Sequence, residues 1–199
     1  VYKPREVVFT ELERTAPNHN ETWLMAQIAA GDEGAFTALY QLHSPRLYTY
    51  LLRLTRDSQV SEDLLQNVFL AVWQGARQFR GDGKLLSWLY RIAHRQVIAW
   101  WRRNAPLAAL SALFEHPAGR SDAEALLTQA WEQWESEQVR AALETLPPPQ
   151  RAVLELSFGQ GFSQQEIADI MECPIGTVKS RVKLALQQMG RVLQNTLAT

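Results

Sequence analysis

An all-α fold, built as two small helical domains joined by a flexible linker, is what this 199-residue sequence predicts. Three observations carry that reading. Apolar residues recur at the helical period almost throughout, with few of the β-branched alternations a sheet requires. Turn residues cluster at Gly81-Asp82-Gly83, and a long stretch containing Pro106, Pro117 and Gly119 divides the chain. The sequence then closes on two short helices separated by a tight break, the pattern of a helix-turn-helix.

The elements follow in order. Residues 1–21 lack periodicity and contain Pro4, Pro17, Asn18 and Asn20, which predicts a mobile arm. A first domain is expected over 22–104. Asp32 is placed to cap a helix that shows Phe36, Leu39 and Tyr40 on one face. Ser44-Pro45 fits a new helix start, with Ser as the cap and Pro at the first helical position. Ser61 opens the most regular helix, whose apolar stripe runs through Leu64, Leu65, Val68, Phe69, Val72 and Trp73. Its other face shows Asp63, Gln66, Asn67, Leu70 and Gln74. A further helix is expected over about 85–103. Residues 105–130 form an acidic linker, and a second domain spans 131–199. Pro147-Pro148-Pro149 separates two of its helices, because successive prolines cannot continue one. The last helices are expected over 163–171 and 175 to about 194.

The composition, 46% hydrophobic and 21% charged, is that of a soluble globular protein. Charge interrupts every apolar run well before the 18 or so residues a membrane helix needs. The first residues carry no apolar core of the secretory type. A single Cys173 excludes an internal disulfide framework and fits a reducing compartment, so a cytoplasmic location is expected. The four histidines, His19, His43, His94 and His116, are scattered. No HExxH, CxxC or Gly-rich phosphate loop is present. No catalytic residue, metal site or cofactor is therefore expected, and the chain is read as a non-enzyme.

Net charge is only −1, yet its distribution is uneven. Arg77, Arg80, Lys84, Arg91, Arg95, Arg102 and Arg103 fall within 77–103 against Asp82 alone. Lys179, Arg181, Lys183 and Arg191 follow Cys173 with no acid. Between these zones the linker and its flank carry six acids against Arg120. Solvated helix faces would produce charge runs of this kind. Here the runs coincide with motifs and point to two contacts with a polyanion.

The first basic zone places Lys84, Trp88, Arg91, Arg95 and Arg102 in one sector of a helix. A cationic stripe carrying an indole suits a single DNA strand, with bases stacking on the ring and phosphates meeting the guanidinium groups. The alternative is that the tryptophans are core, a reading that fits Trp100 better than Trp88. In the second zone Ser163-Gln164-Gln165-Glu166 is a capping box. It opens a short helix that ends at Glu172-Cys173-Pro174. The next helix is expected to bury Ile175, Val178, Val182, Ala185 and Met189, and to offer Thr177, Lys179, Ser180, Arg181 and Lys183 on an exposed face. Such a helix fits the major groove, with its N-terminal residues at base edges. A helical hairpin with a polar outer face would give the same pattern.

Residues 61–103 resemble domain 2 of the extracytoplasmic-function (ECF) sigma factors, most specifically through Phe79-Arg80-Gly81-Asp82 and Trp88-Leu89-Tyr90-Arg91-Ile92-Ala93. The second module resembles domain 4 of the same family, through Leu146-Pro147 with Arg151, Glu166-Ile167-Ala168, and Gly176-Thr177-Val178-Lys179-Ser180-Arg181. The resemblance spans about 25–103 and 134–193. It implies a subunit that binds core RNA polymerase through Asp63, Gln66 and Asn67. It also implies that the −10 element is melted and held by Arg80, Asp82, Lys84, Trp88, Arg91 and Arg95. The −35 element would be read by Thr177, Lys179, Ser180, Arg181 and Lys183. Promoter DNA, core polymerase and an anti-sigma factor are the partners it implies, without membrane insertion. Leu184 and Leu186 stand where several relatives carry basic residues, which shifts the expected −35 readout toward the remaining polar residues and DNA shape. Two rivals remain: a stand-alone helix-turn-helix regulator, and a sigma-like adaptor without initiation activity.

Overall fold

A computed structural model describes residues 19–79, 84–104 and 137–197. Residues 1–18 of the arm expected over 1–21, the Gly81-Asp82-Gly83 turn with Arg80, and the linker lie outside the described residues, as does the expected domain start at 131; residues 19–21, expected in the arm, are helical. Among the described residues every element is helical.

The first domain contains a helix that the sequence pattern did not predict, α1 (His19–Ala29), which buries Met25 and Ile28. Gly31, at φ +92°, turns the chain in the left-handed region that favours glycine. Asp32 then caps α2 (Glu33–Thr55) as expected, its carboxylate accepting the Ala35 N–H at 2.9 Å. Contrary to expectation, Ser44-Pro45 starts no helix. The 23 residues of α2 run straight through Pro45. Leu39, His43, Leu47, Tyr50, Leu51 and Leu54 form one unbroken buried face across it, and burial of that face outweighs the one backbone hydrogen bond a proline removes.

Arg56, at φ 61°, closes α2, and Asp57 caps α3 (Ser58–Gly75). The helix thus begins three residues before Ser61. That serine is fully buried at the α2–α3 corner, bonded to Thr55 Oγ1 at 2.7 Å and donating to the Asp57 carbonyl at 2.6 Å. A 3₁₀ turn (Ala76–Gln78) follows, and α4 (Leu85–Asn104) closes the domain over Leu89, Ala93 and Val97.

The second domain comprises α5 (Glu137–Glu144), α6 (Pro148–Leu154), α7 (Gln164–Met171) and α8 (Ile175–Leu197). Arg151 explains the spacing of its leucine-proline motif. Its guanidinium donates to the carbonyls of Leu143, Glu144 and Leu146, each at 3.0 Å, and so satisfies the end of α5 where prolines prevent continuation. Burial, with Arg56 nearby, lowers this guanidinium to about 10. A π-helical turn, Glu155–Gly159, extends α6 and carries Glu155 into the interior.

The two domains pack together through α4 and α7. Tyr90 of α4 lies between the rings of Tyr50 and Phe162, at 5.2 Å and 5.0 Å, and its hydroxyl donates to Gln160. Arg53 of α2 meets the buried Glu155 at 2.9 Å. Gly159 lies close against this pair. A Cβ at that position would fall 2.9 Å from the Glu155 carboxylate and 3.1 Å from the Arg53 guanidinium.

Candidate polymerase and nucleic-acid interfaces

The first candidate face lies on α3. Asp63, Gln66 and Asn67 are exposed, as their i, i+3, i+4 spacing requires when Leu64, Leu65 and Val68 point inward. Leu70, 53% exposed, continues the row. A large apolar side chain bordered by short polar groups, on a rigid helix, has the composition of a protein-binding surface.

The second face lies on α4. Lys84 and Arg95 are exposed, whereas Arg91 is half-buried. Trp88 is also half-buried. Its indole meets the Phe79 ring edge-on at 5.5 Å and lies over Gly75, so the ring is held in place without joining the core. Trp100 is half-buried as well, and the core tryptophan of this helix is Trp101, 5% exposed. Arg80 and Asp82 fall outside the described residues.

The third face is the helix-turn-helix. Ser163 and Glu166 form the expected reciprocal capping box. Glu172, at φ 52°, ends α7 in the left-handed conformation and its N–H returns to the Ala168 carbonyl. Pro174 then leads into α8, whose Val178, Val182, Ala185 and Met189 are buried as predicted. Ile175, expected in the core, is 39% exposed.

The exposed face expected on α8 is only partly so. Lys179 is exposed and Lys183 half-buried, but Thr177, Ser180 and Arg181 are buried. Ser180 turns its hydroxyl to the Thr177 carbonyl at 3.0 Å. Arg181 reaches toward Cys173 and stands close enough to His94 of α4 to influence its charge. Leu186 is also buried, which accounts for an apolar residue at that position.

Sequence reasoning missed the residues that join these faces. Glu166 caps α7 through Oε2 while its Oε1 meets Lys84 Nζ at 2.9 Å. Glu172 forms a bidentate pair with Arg95, one arm at 2.9 Å from Nε. Between them His94, buried and bonded to the Tyr50 hydroxyl at 3.0 Å, is lowered to about 4 by burial and by Arg181. The acids of α7 were visible in the sequence, but nothing there paired them with α4.

Comparison with known proteins decides what these surfaces belong to. A model of sigma-70 region 2 matches residues 39–106, and one of sigma-70 region 4 matches residues 136–189. The ECF RNA polymerase sigma factor SigK of Mycobacterium tuberculosis is 30% identical over 175 residues, spanning 85% of this chain and 91% of that protein. The chain belongs to the ECF sigma factors. The RNA polymerase sigma-H factor of Pseudomonas aeruginosa is 29% identical over 181 residues, 87% of this chain and 94% of that one. Among solved structures, CnrH in complex with the cytosolic domain of CnrY superimposes with a TM-score of 0.63 at 23% identity, covering 87% of this chain and 97% of that one. The sigma factor RpoE bound to the anti-sigma factor NepR from Bartonella quintana gives 0.60 at 24%, covering 80% and 96%. These two likenesses establish the fold.

As an ECF sigma factor the protein directs transcription initiation, and it belongs to a family of factors that are not themselves enzymes. A stand-alone helix-turn-helix regulator leaves the region 2 match without a role, and neither rival reading is favoured. No helix among the described residues is long and apolar enough to cross a membrane.

Proposed function

We propose that this sigma factor divides its work among the three faces. Asp63, Gln66 and Asn67 of α3 dock on core RNA polymerase. The cationic helix α4, with Lys84, Trp88, Arg91 and Arg95, grips the melted −10 element, joined by Arg80 and Asp82 from the preceding turn. The helix α8 reads the −35 duplex through Thr177, Lys179, Ser180, Arg181 and Lys183. The domains are those bounded at 22–104 and 131–199, with the arm and acidic linker outside them.

The observation that carries this division is the separation of surface chemistry within one helical domain: a short-polar face on α3 and a guanidinium-indole face on α4. Stacking on an aromatic ring is worth about 1–3 kcal/mol per base. That is comparable to the cost of unstacking a base, so such a surface holds strands apart without a nucleotide-driven motor. The factor works in the cytoplasm, where polymerase and promoter are found. An anti-sigma factor is the expected regulator; the solved structures of CnrH and RpoE each hold such a factor or a partner's cytosolic domain.

Run-off transcription with core polymerase and genomic promoter fragments tests the proposal. Specific transcripts are expected only with the factor present. Absence of specific initiation from a polymerase competent with another sigma factor overturns it. Trp88→Ala is expected to weaken permanganate reactivity at the −10 element while sparing polymerase binding.

A further inference from the structure

We propose that Glu21 of α1 is a positioning residue for the −10 strand: it caps α4 from another helix and so fixes the helix start that carries Lys84 and Trp88. The inference rests on the assignment of α4 to that strand and adds a residue to it. The first four N–H groups of a helix have no partner within it, and a side-chain oxygen just before the helix commonly accepts one of them. Asp32, Asp57 and Ser163 serve α2, α3 and α7 in this way. At α4 the cap position is held by Lys84, whose carbonyl accepts a helical bond from the Trp88 N–H at 3.3 Å. An ammonium group has no acceptor to offer, and the first turn of α4 contains no acid. Glu21 Oε2 supplies the missing acceptor, taking the Leu85 N–H at 3.3 Å across 64 residues of sequence. Its charge also meets the positive end of the helix dipole.

Replacing a local cap by a distant one has a chemical consequence. Aspartate or serine at position 84 would cap α4 but would remove a cation assigned to the −10 strand. Glu21 is half-buried and Lys84 exposed, so the negative charge is set into the domain and the positive one toward solvent. The helix start is thereby satisfied without giving up its affinity for phosphate.

The helix α1 is placed for this task. Glu21 shares a face with Met25 and Ile28, at i, i+4 and i+7, and both of those are buried in the core. At the other end of α1 the Ala29 carbonyl accepts the Arg77 Nε–H at 3.3 Å. Arg77 and Leu85 flank the turn expected at 80–83, so α1 is tied to the chain on both sides of it. The rings of Phe79 and Trp88 join the same two sides, edge-on at 5.5 Å. Trp88 follows Leu85 by less than one helical turn. A frayed start of α4 would therefore carry the indole away from Phe79 and Gly75, which hold it in place.

The test uses the full chain with core polymerase and genomic promoter fragments. Hydrogen exchange over residues 84–88 reads the cap, permanganate reactivity reads strand opening, and capture by core enzyme reads docking. Glu21→Ala is expected to speed exchange and to lower opening roughly three- to tenfold, with polymerase capture unchanged. Glu21→Gln keeps an acceptor oxygen at the same reach and should stay within roughly twofold of wild type in both. Glu21→Asp keeps the charge but draws it back by a methylene, and should lose opening as the alanine variant does. That comparison decides the matter where Glu21→Ala fails to fold, and full opening by Glu21→Asp overturns the proposal. Unchanged exchange in Glu21→Ala overturns it too, as does faster exchange with full opening. Equal loss of opening and polymerase capture does the same, because a general weakening of the domain would produce it. If the wild type opens no promoter while Glu21→Ala still speeds exchange, the assignment of α4 to the −10 strand falls, and Glu21 is a structural cap alone.

Discussion

Helices α3 and α4 are neighbours in one domain, each amphipathic and each assigned to a macromolecular partner, yet the polar face of one stands bare while exposed cations of the other pair with acids of the second domain. The outward face of α3 carries a single charge among its docking residues, Asp63, beside amides and a leucine. The outward face of α4 carries lysine and arginines, and meets Glu166 and Glu172 of the second domain. The difference shows what attracts an intramolecular partner. A dense row of one charge draws the nearest opposite charge, whereas a dilute polar face stays hydrated until a shape-matched protein displaces its water.

The contrast breaks most sharply at Tyr90. Its side chain is fully buried between Tyr50 and Phe162, and Tyr90→Ala removes a ring from the place where the domains meet. A loss of about 3–5 kcal/mol is expected, measured by urea unfolding. Tyr90→Phe, which deletes only the bond to Gln160, should cost about 0.5–1.5 kcal/mol. Equal losses for the two variants would show that the ring contributes nothing beyond its hydroxyl.

Acid should act on the covered side next. His94, beneath Glu172 and beside Arg181, titrates at about 4 in the folded chain against an ordinary 6.5. His43, on the inner face of α2 near Arg46, does the same. The unfolded chain takes up protons that these buried rings refuse. Their contribution is thus complete above pH 6.5 and is lost as pH falls toward about 4. Each site accounts for up to about 3 kcal/mol. Unfolding midpoints at pH 7.5 and pH 5 measure the effect, and His94→Gln should flatten it. A slope that persists undiminished in a His43→Gln/His94→Gln chain would assign the acid sensitivity elsewhere.

Gly159→Ala probes the same contact from the backbone. The added methyl needs space held by the Glu155 carboxylate and the Arg53 guanidinium, so it must push the pair apart. Glu155, whose carboxyl burial already raises, then loses its partner. A loss of about 1–3 kcal/mol is expected, with a more extended chain in scattering.

The residues of this contact were the ones hardest to read from the sequence, and the reason is physical. Local signals encode local structure. Asp32 and Ser163 cap helices because their oxygens reach backbone groups three residues away, and that reach is visible as spacing. The three prolines after Leu146 separated two helices for the same reason. Pro45 misled because its local preference was overruled by Leu39, Leu47 and Tyr50, whose burial depends on α3 and α4. The assigned −35 residues Thr177, Ser180 and Arg181 looked exposed because the period of α8 shows which residues share a face. It does not show which neighbouring elements cover that face. Glu166 was read as a cap and nothing more. Its second oxygen serves Lys84, the residue just before α4, a pairing that only the folded chain defines.

The smallest stability effect is expected where the comparison is cleanest, on α3. Asp63→Ala, Gln66→Ala and Asn67→Ala each remove an exposed side chain from the outer face of α3, so unfolding should shift by no more than about 0.5 kcal/mol. Leu70→Ala, on a side chain 53% exposed, should behave likewise. Their effect belongs to polymerase binding, where loss of a central contact costs more than about 1 kcal/mol, or at least about fivefold in affinity. The expected pattern is therefore the inverse of Tyr90: unchanged stability and weakened polymerase capture, read by unfolding and by binding to core enzyme. If all four variants unfold like wild type and also bind polymerase like wild type, the bare face of α3 is ordinary solvated surface. Docking would then have to be sought at another exposed apolar side chain, such as Trp23 or Leu42.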